Sequence, residues 1–488
     1  MTAPRTTLRA GPRVRAPELA AGRWFNTGQP LSLAALRGRW VLLDFWTSGC
    51  VNCQHVAAEL RPLERRFGRA GSGDLVVIGV HSPKFAYERT DGAVRTAIRR
   101  LGVDHPVLSD PSLTSWRQYA VKAWPTLTLV DPDGYVVVQV AGEGHVAGLT
   151  ALLEQLRAER PAGDVAPPPP AAGEPGTEAL PPAGRALVDG LPVPHGVAVA
   201  GDRLLVTTGD GLVVREPDGR SHLVASPLFG RPTGVTVLSA GGARAWGSPA
   251  VVTDEATHRI LGVDPTTGDV RSLAGTGAQA AAAPPLTRRP AGAADLSSPA
   301  ATAERGAVLW CAMAGLHQLW RLDPPTATAP ATTQVIAGAE LAEGLRDGPA
   351  ATAFLAQPSA LAADPARGRL WFVDAESSAL RWLEVDVDAT AGQVWTAVGE
   401  GLFDFGHADG PARVARLQHP LGLALLRDGS LAVADSYNGA VRRFDPDTGE
   451  LTTLARGLAE PTGVCLLPDG GLAVVEASAG RVVELPQR

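Results

Sequence analysis

Apolar and polar positions change their period along the chain. Between Trp40 and Arg157, short apolar runs alternate with amphipathic stretches. Trp40–Trp46 reads as a buried strand, and Cys53–Phe67 as a helix with Val56, Leu60, Leu63 and Phe67 on one face. Leu75–His81 reads as a second buried strand. A helix at Gly92–Leu101, a strand at Thr126–Val130, the turn Asp131-Pro132-Asp133-Gly134, a strand at Tyr135–Val140 and a closing helix at Val146–Arg157 follow. Strands alternating with helices and then a hairpin predict an α/β sheet with mixed pairing.

From residue 159 to 184 the pattern vanishes. Pro161, Pro167 to Pro170, Pro175, Pro181 and Pro182, set among Ala, Gly and Glu, cannot bury a core and read as a semi-extended linker. Beyond it the chain repeats itself. Units open at Pro194-His195-Gly196, Pro232-Thr233-Gly234, Pro299-Ala300-Ala301, Pro358-Ser359-Ala360, Pro420-Leu421-Gly422 and Pro461-Thr462-Gly463, and each continues through short strands such as Leu431–Asp435 and Val441–Asp445. Six such units predict a six-bladed β-propeller. The last unit ends after its third strand, Arg481–Leu485, so Arg185–Val188 is expected to supply the missing outer strand and close the ring.

Length and composition agree with several domains. The chain has 488 residues, more than one core normally holds, with 55 Gly and 41 Pro for many turns. Hydrophobic residues at 45% against 19% charged argue for a folded protein. Residues 1–160 carry 20 Lys+Arg against 14 Asp+Glu, a net of +6. The remainder carries 24 against 36, a net of −12. Lys84 and Lys122 are the only lysines, so the arginines do not read as a nucleic-acid surface. No apolar run suits a secretion signal or a membrane span, and a cytoplasmic setting with no membrane contact is expected.

The candidate chemistry sits in the first region. Cys50-Val51-Asn52-Cys53 follows the first buried strand at a strand-to-helix junction. A thiolate at a helix N-terminus is stabilised by unpaired backbone N–H groups and the helix dipole, and the second cysteine can resolve a mixed disulfide. Asp44, inside the apolar strand, needs a partner or a role. Zinc would require four ligands, and Cys311 and Cys465 lie singly in apolar segments, so no metal and no cofactor are expected.

Ser32-Leu33-Ala34-Ala35-Leu36-Arg37-Gly38, Asp44-Phe45-Trp46, Cys50 to Cys53 and Trp124-Pro125-Thr126 resemble the thioredoxin superfamily in order and spacing. The resemblance implies that Cys50 attacks, Cys53 resolves, Asp44 helps deprotonate Cys53, and Trp124, a cis Pro125 and Thr126 form the substrate groove. The chain departs from the common pattern at Gly49 and at Val51-Asn52. Thr47 stands three residues before Cys50, as in peroxiredoxins, but their upstream proline is Leu43 here. The later units resemble NHL repeats, most clearly at Pro420-Leu421-Gly422, Leu431–Asp435, Asn438 and Val441-Arg442-Arg443. A thioredoxin-like domain followed by an NHL propeller resembles the family of NHL-repeat-containing protein 2 over nearly the whole chain.

Secondary candidates are His81, Glu143 and His145, which the thioredoxin topology would bring towards the dithiol as modulators. Asp254, Asp374 and Asp435 recur at the ends of second strands, where a structural role, accepting backbone N–H bonds, is expected over a ligand site. The resulting expectation is a multidomain protein. It has an N-terminal extension (1–30), an α/β thioredoxin-like domain (31–158), a linker (159–184) and an all-β six-bladed propeller (185–488). Its function would be thiol–disulfide exchange on protein thiols or disulfides, with the propeller holding a protein partner. The alternative is an interaction scaffold whose first domain senses redox state or is merely structural.

Overall fold

The computed structural model describes residues 13–68, 71–159, 184–280, 287–339, 342–385 and 392–486. The chain divides into two compact units, within residues 1–177 and 178–488.

The first unit is a seven-stranded sheet flanked by helices. Its strands are β1 (Val14–Arg15), β2 (Trp24–Phe25), β3 (Trp40–Trp46), β4 (Leu75–His81), β5 (Val107–Ser109), β6 (Thr126–Val130) and β7 (Tyr135–Ala141), in the order β1-β7-β6-β3-β4-β5-β2. β3 lies in the middle, parallel to β4 and antiparallel to β6. Its even-numbered Trp40 and Leu42 pack with Val56, Leu60, Leu63 and Phe67 of α1 (Val51–Phe67) and with Val146, Leu149 and Leu153 of α4 (Val146–Glu159). Val41, Leu43 and Phe45 face the opposite layer with Leu33, Leu36 and Tyr119. Cover on both faces explains the unbroken apolar run. Each of the large α1 side chains so buried contributes roughly 1.5–3 kcal/mol.

Between β4 and β5 runs α2 (Asp91–Leu101), capped at its start by the Thr90 hydroxyl. It ends at Gly102, whose φ of 59° allows the left-handed turn that returns its N–H to the last carbonyls. A short α3 (Thr114–Gln118) follows β5.

Both sheet edges come from the segment read as an N-terminal extension. Val14 pairs with Val136 of β7, and Trp24 with Leu108 of β5. These strands are two residues long and carry no periodic signal of their own; only docking against an existing edge makes them strands. Most of the expected linker, residues 160–183, lies outside the described residues.

The second unit is a six-bladed propeller, one sheet per repeat among the described residues. The inner strands Val197–Ala200, Pro232–Val237, Pro299–Arg305, Pro358–Asp364, Gly422–Leu425 and Pro461–Leu466 touch in sequence, and the last touches the first. Arg185–Val188 pairs with Arg481–Leu485 as the outer strand of the last blade, so the two ends of the unit share one sheet. Gly348–Pro349 and Gly410–Pro411, from the repeated Asp-Gly-Pro-Ala segments, add a short fifth strand outside their blades.

Candidate functional site: the dithiol of the first unit

The end of β3 and the start of α1 place the two cysteines. Cys50 is the N-cap of α1, in extended backbone conformation, and its sulfur accepts the Cys53 backbone N–H at 3.2 Å. It therefore stands where the helix offers unpaired N–H groups, and it is partly exposed. Cys53, one turn on, is 1% exposed. Burial pushes its thiol well up, and the Cys50 sulfur and the Asp44 charge push the same way. The two thiols, one the N-cap and the other inside the first turn of α1, thus have opposite environments.

Asp44 is 2% exposed on the α1 side of the sheet. Burial pushes its carboxyl up to about 7; the His105 charge opposes this and the Glu64 charge adds to it. A carboxyl that titrates near neutrality and acts electrostatically on Cys53 can exchange a proton with it.

The Trp124–Pro125 bond is cis. Trp124 donates its indole N–H to the Ser82 carbonyl at 2.7 Å and, like Cys50, packs against the apolar cluster that contains Trp46 and Cys53. Thr126 opens β6 opposite Phe45, its hydroxyl donating to the Ala123 carbonyl at 2.7 Å. Cys50, Cys53 and Trp124 thus share one apolar cluster, with Thr126 on the neighbouring strand.

The secondary candidates are spread further. His81 is fully buried at the end of β4, its Nε2 2.8 Å from the Ser48 hydroxyl and its ring edge-on to Trp46 at 4.8 Å. Burial lowers its pKa to about 3, so it is neutral and buttresses the turn before Cys50. Glu143 reaches back to α1, its Oε2 2.5 Å from Nδ1 of the buried His55. His145 is exposed, its Nε2 3.1 Å from the Ala141 carbonyl.

A residue that carried no sequence signal completes the site. Glu88 is 0% exposed, and its carboxylate accepts the Gly49 backbone N–H at 2.9 Å and the Thr47 hydroxyl at 2.7 Å. It also accepts the backbone N–H groups of Lys84 and Phe85 at 2.9 and 3.0 Å. The turn that presents Cys50 is therefore clamped to the segment after β4. Glu88 lies in a single turn of 3₁₀ helix, Tyr87–Arg89, too short to show a period, so nothing marked it in advance.

In the propeller, the recurrent carboxylates are structural. Asp374 accepts the Ala356 N–H at 2.8 Å and pairs with the fully buried Arg381 at 2.8 Å, which also pairs with Asp347. Asp435, Gln418, Arg442 and Asp409 repeat the arrangement one blade on. Asp254 accepts backbone N–H groups of Gly230, Arg231, Ala256 and Thr257.

Residues 12–139 match the AhpC/TSA family, and residues 417–444 match the NHL repeat. NHL repeat-containing protein 2 of Homo sapiens is 30% identical over 484 residues, covering 90% of this chain and 63% of that one. The chain is a thioredoxin-like domain followed by a six-bladed propeller that carries an NHL repeat, and it is similar to NHL repeat-containing protein 2 over 90% of its length. Protein SUPPRESSOR OF QUENCHING 1, chloroplastic, of Arabidopsis thaliana is 29% identical over 457 residues, 88% of this chain and 41% of that one. The thiol-disulfide oxidoreductase ResA of Bacillus anthracis is 28% identical over 129 residues, 26% of this chain and 70% of that one. The chain thus spans less than two thirds of the human and plant relatives. Among the described residues, no helix is long and apolar enough to cross a membrane.

Proposed function

We propose that this protein is a thiol–disulfide oxidoreductase acting through Cys50 and Cys53 in a reducing, cytoplasmic setting, with the propeller holding a protein partner. The observation that carries the reading is the asymmetry of the pair: a partly exposed Cys50 at the α1 N-terminus, and a buried Cys53 whose thiol is pushed well up by burial, by Cys50 and by the Asp44 charge. The likeness to ResA, named as a thiol-disulfide oxidoreductase, supports it.

The steps follow from those environments. The Cys50 thiolate attacks one sulfur of a substrate disulfide, forming a mixed disulfide and releasing the other sulfur as a thiolate that takes a proton from water. Cys53 then gives its proton to the Asp44 carboxylate, and its thiolate attacks the Cys50 sulfur. The second substrate thiolate leaves, and a Cys50–Cys53 disulfide remains. The substrate is reduced by two electrons and the dithiol is oxidised by two. The groove beside Trp124, Pro125 and Thr126 would receive the substrate chain.

Trapping tests this directly. Cys53→Ala should accumulate mixed disulfides through Cys50, and Cys50→Ser should abolish reduction of insulin disulfides. Full insulin reduction by Cys50→Ser would sink the proposal. The scaffold reading draws on Gly49 and Val51-Asn52, which depart from the usual dithiol loop. An unchanged set of captured partners when both cysteines are replaced would favour it.

A further inference from the structure

The layers between successive blades are not filled alike. Between the third and fourth blades, Trp310 and Phe372 are buried together with Ala350, Ala353 and Leu355, which follow the short strand Gly348–Pro349. Between the fourth and fifth, Trp371 and Phe444 are buried with Ala415 and Leu417, which follow Gly410–Pro411. Neither device recurs between the fifth blade (422–456) and the sixth (461–485). Trp310, Trp371 and Ala432 stand at the same place, three residues before the end of the second strand of their blades. The connection between the fifth and sixth blades, residues 457–460, lends the layer only Leu458, and the buried cluster there consists of Ala, Val and Leu alone.

This layer holds a cavity of about 300 Å³. Its apolar lining is Leu426, Leu454 and Ala455 from the fifth blade and Leu466, Leu472 and Leu485 from the sixth, and its charged lining is Arg427, Asp428 and Arg443. Close-packed interiors leave few voids larger than a water molecule, and an apolar wall offers water few partners. The volume stands at the lower end of the range for small-molecule sites, about 300–1,000 Å³. A docked protein would need far more surface, about 800 Å² on each partner. The exposed large apolar side chains of the propeller, Trp395 and Phe403 among them, lie outside this lining.

The charged lining selects a sign. Arg443 donates to the Asp428 carboxylate at 2.8 Å and to the Ser430 hydroxyl at 3.0 Å, and Ser430 donates to Asp428 at 2.6 Å. The Ser430 hydroxyl and the Arg443 guanidinium hold the Asp428 carboxyl down to about 2, so it is ionised and already engaged. Arg427 donates through Nη2 to the Pro468 carbonyl in the facing turn of the sixth blade. A guanidinium carries five N–H donors, and among the described residues Nη1 of neither arginine makes a hydrogen bond. Two arginines against one engaged carboxylate leave a net positive charge beside an apolar wall. We infer that this cavity binds a small organic acid, its carboxylate met by Arg427 and Arg443 and its apolar body lying against Leu454, Leu466 and Leu485. The site is independent of the dithiol and involves no redox step.

Titration calorimetry and saturation-transfer NMR on the full chain, with octanoate and 4-phenylbutyrate as probes, test it. At least one of the two acids should bind wild type at a single site. Octanamide, of the same length but uncharged, should bind roughly tenfold more weakly than octanoate, because charge-assisted bonds to arginine are lost. Ala455→Phe places a ring in the cavity and should abolish binding. Arg427→Gln alters an exposed side chain, so it tests the site even if Ala455→Phe fails to fold, and it should weaken the acid to the level of the amide. Failure of both acids to bind wild type overturns the inference. So does binding at many sites, equal affinity for octanoate and octanamide, or an affinity unchanged in Arg427→Gln.

Discussion

The Glu88 carboxylate accepts the Gly49 backbone N–H at 2.9 Å, joining the residue before the candidate nucleophile to a position 39 residues away. The same carboxylate serves Thr47, Lys84 and Phe85, so its loss would strand several buried donors at once. Glu88→Ala should lower stability by at least about 3 kcal/mol and blur the reactivity of Cys50. Glu88→Gln, which keeps an acceptor, should cost less. Thermal unfolding together with Cys50 alkylation rates checks both; equal, negligible effects would remove Glu88 from the site.

Thiol reactivity should be ordered. Burial pushes up the Cys53 and Cys311 thiols, and that of Cys465 to about 12, whereas Cys50 is partly exposed at a helix N-terminus. Iodoacetamide at neutral pH should label Cys50 first and the other three slowly, as peptide mass mapping would show. Simultaneous labelling of Cys50 and Cys53 would contradict the asymmetry.

Asp44 should make stability depend on pH in a definite direction. Its folded pKa of about 7 lies above the unfolded value of about 3.9, so the folded state holds the extra proton between them. Its contribution to stability is full below about pH 4, falls as the pH rises towards 7, and is flat above that. Asp44→Asn should therefore gain stability over wild type progressively across that window, by a few kcal/mol at most, while slowing the resolving step. Chemical denaturation at pH 4, 5.5 and 7.5 measures it, and a constant difference between the two proteins would refute the shift.

In the propeller, Arg381 and Arg442 are fully buried between paired carboxylates. Arg381→Ala leaves Asp374 charged and buried, and should cost about 3–5 kcal/mol. Arg381→Ala with Asp374→Ala should recover part of that. Additive losses in this cycle would show that the pair is not coupled.

Ring closure depends on an outer strand taken from the beginning of the unit. Ala186 pairs with Val483, so Ala186→Pro should weaken the last blade and expose an edge, lowering the melting temperature and promoting association. Light scattering and calorimetry read both effects. A change confined to the first unit's transition would show that closure lies elsewhere.

Much of this molecule is written in local pattern. The period of apolar residues marked β3, β4, β6 and α1 because these elements bury long, regular faces, and the six Pro-led units marked the blades because each repeats one supersecondary pattern. The closing role of Arg185–Val188 followed from counting strands, since a ring leaves one place unfilled. Cys50 to Cys53 and Asp44 stood out because a paired thiol at a strand-to-helix junction and a charge inside an apolar strand break the pattern around them, whereas Trp124, Pro125 and Thr126 were marked by the thioredoxin resemblance.

What the pattern could not carry was any relationship between residues far apart in the chain. The edge strands at Val14–Arg15 and Trp24–Phe25 exist only against partners more than eighty positions away. Glu88 sits under Gly49, and Glu143 turns to His55 while His145 stays at the surface. Sequence determined which elements form and which residue types can do chemistry, because periodicity and composition are local properties. Tertiary structure alone decided burial, pairing and protonation, because the free energy of a buried charge or an unpaired donor depends on neighbours brought there by packing.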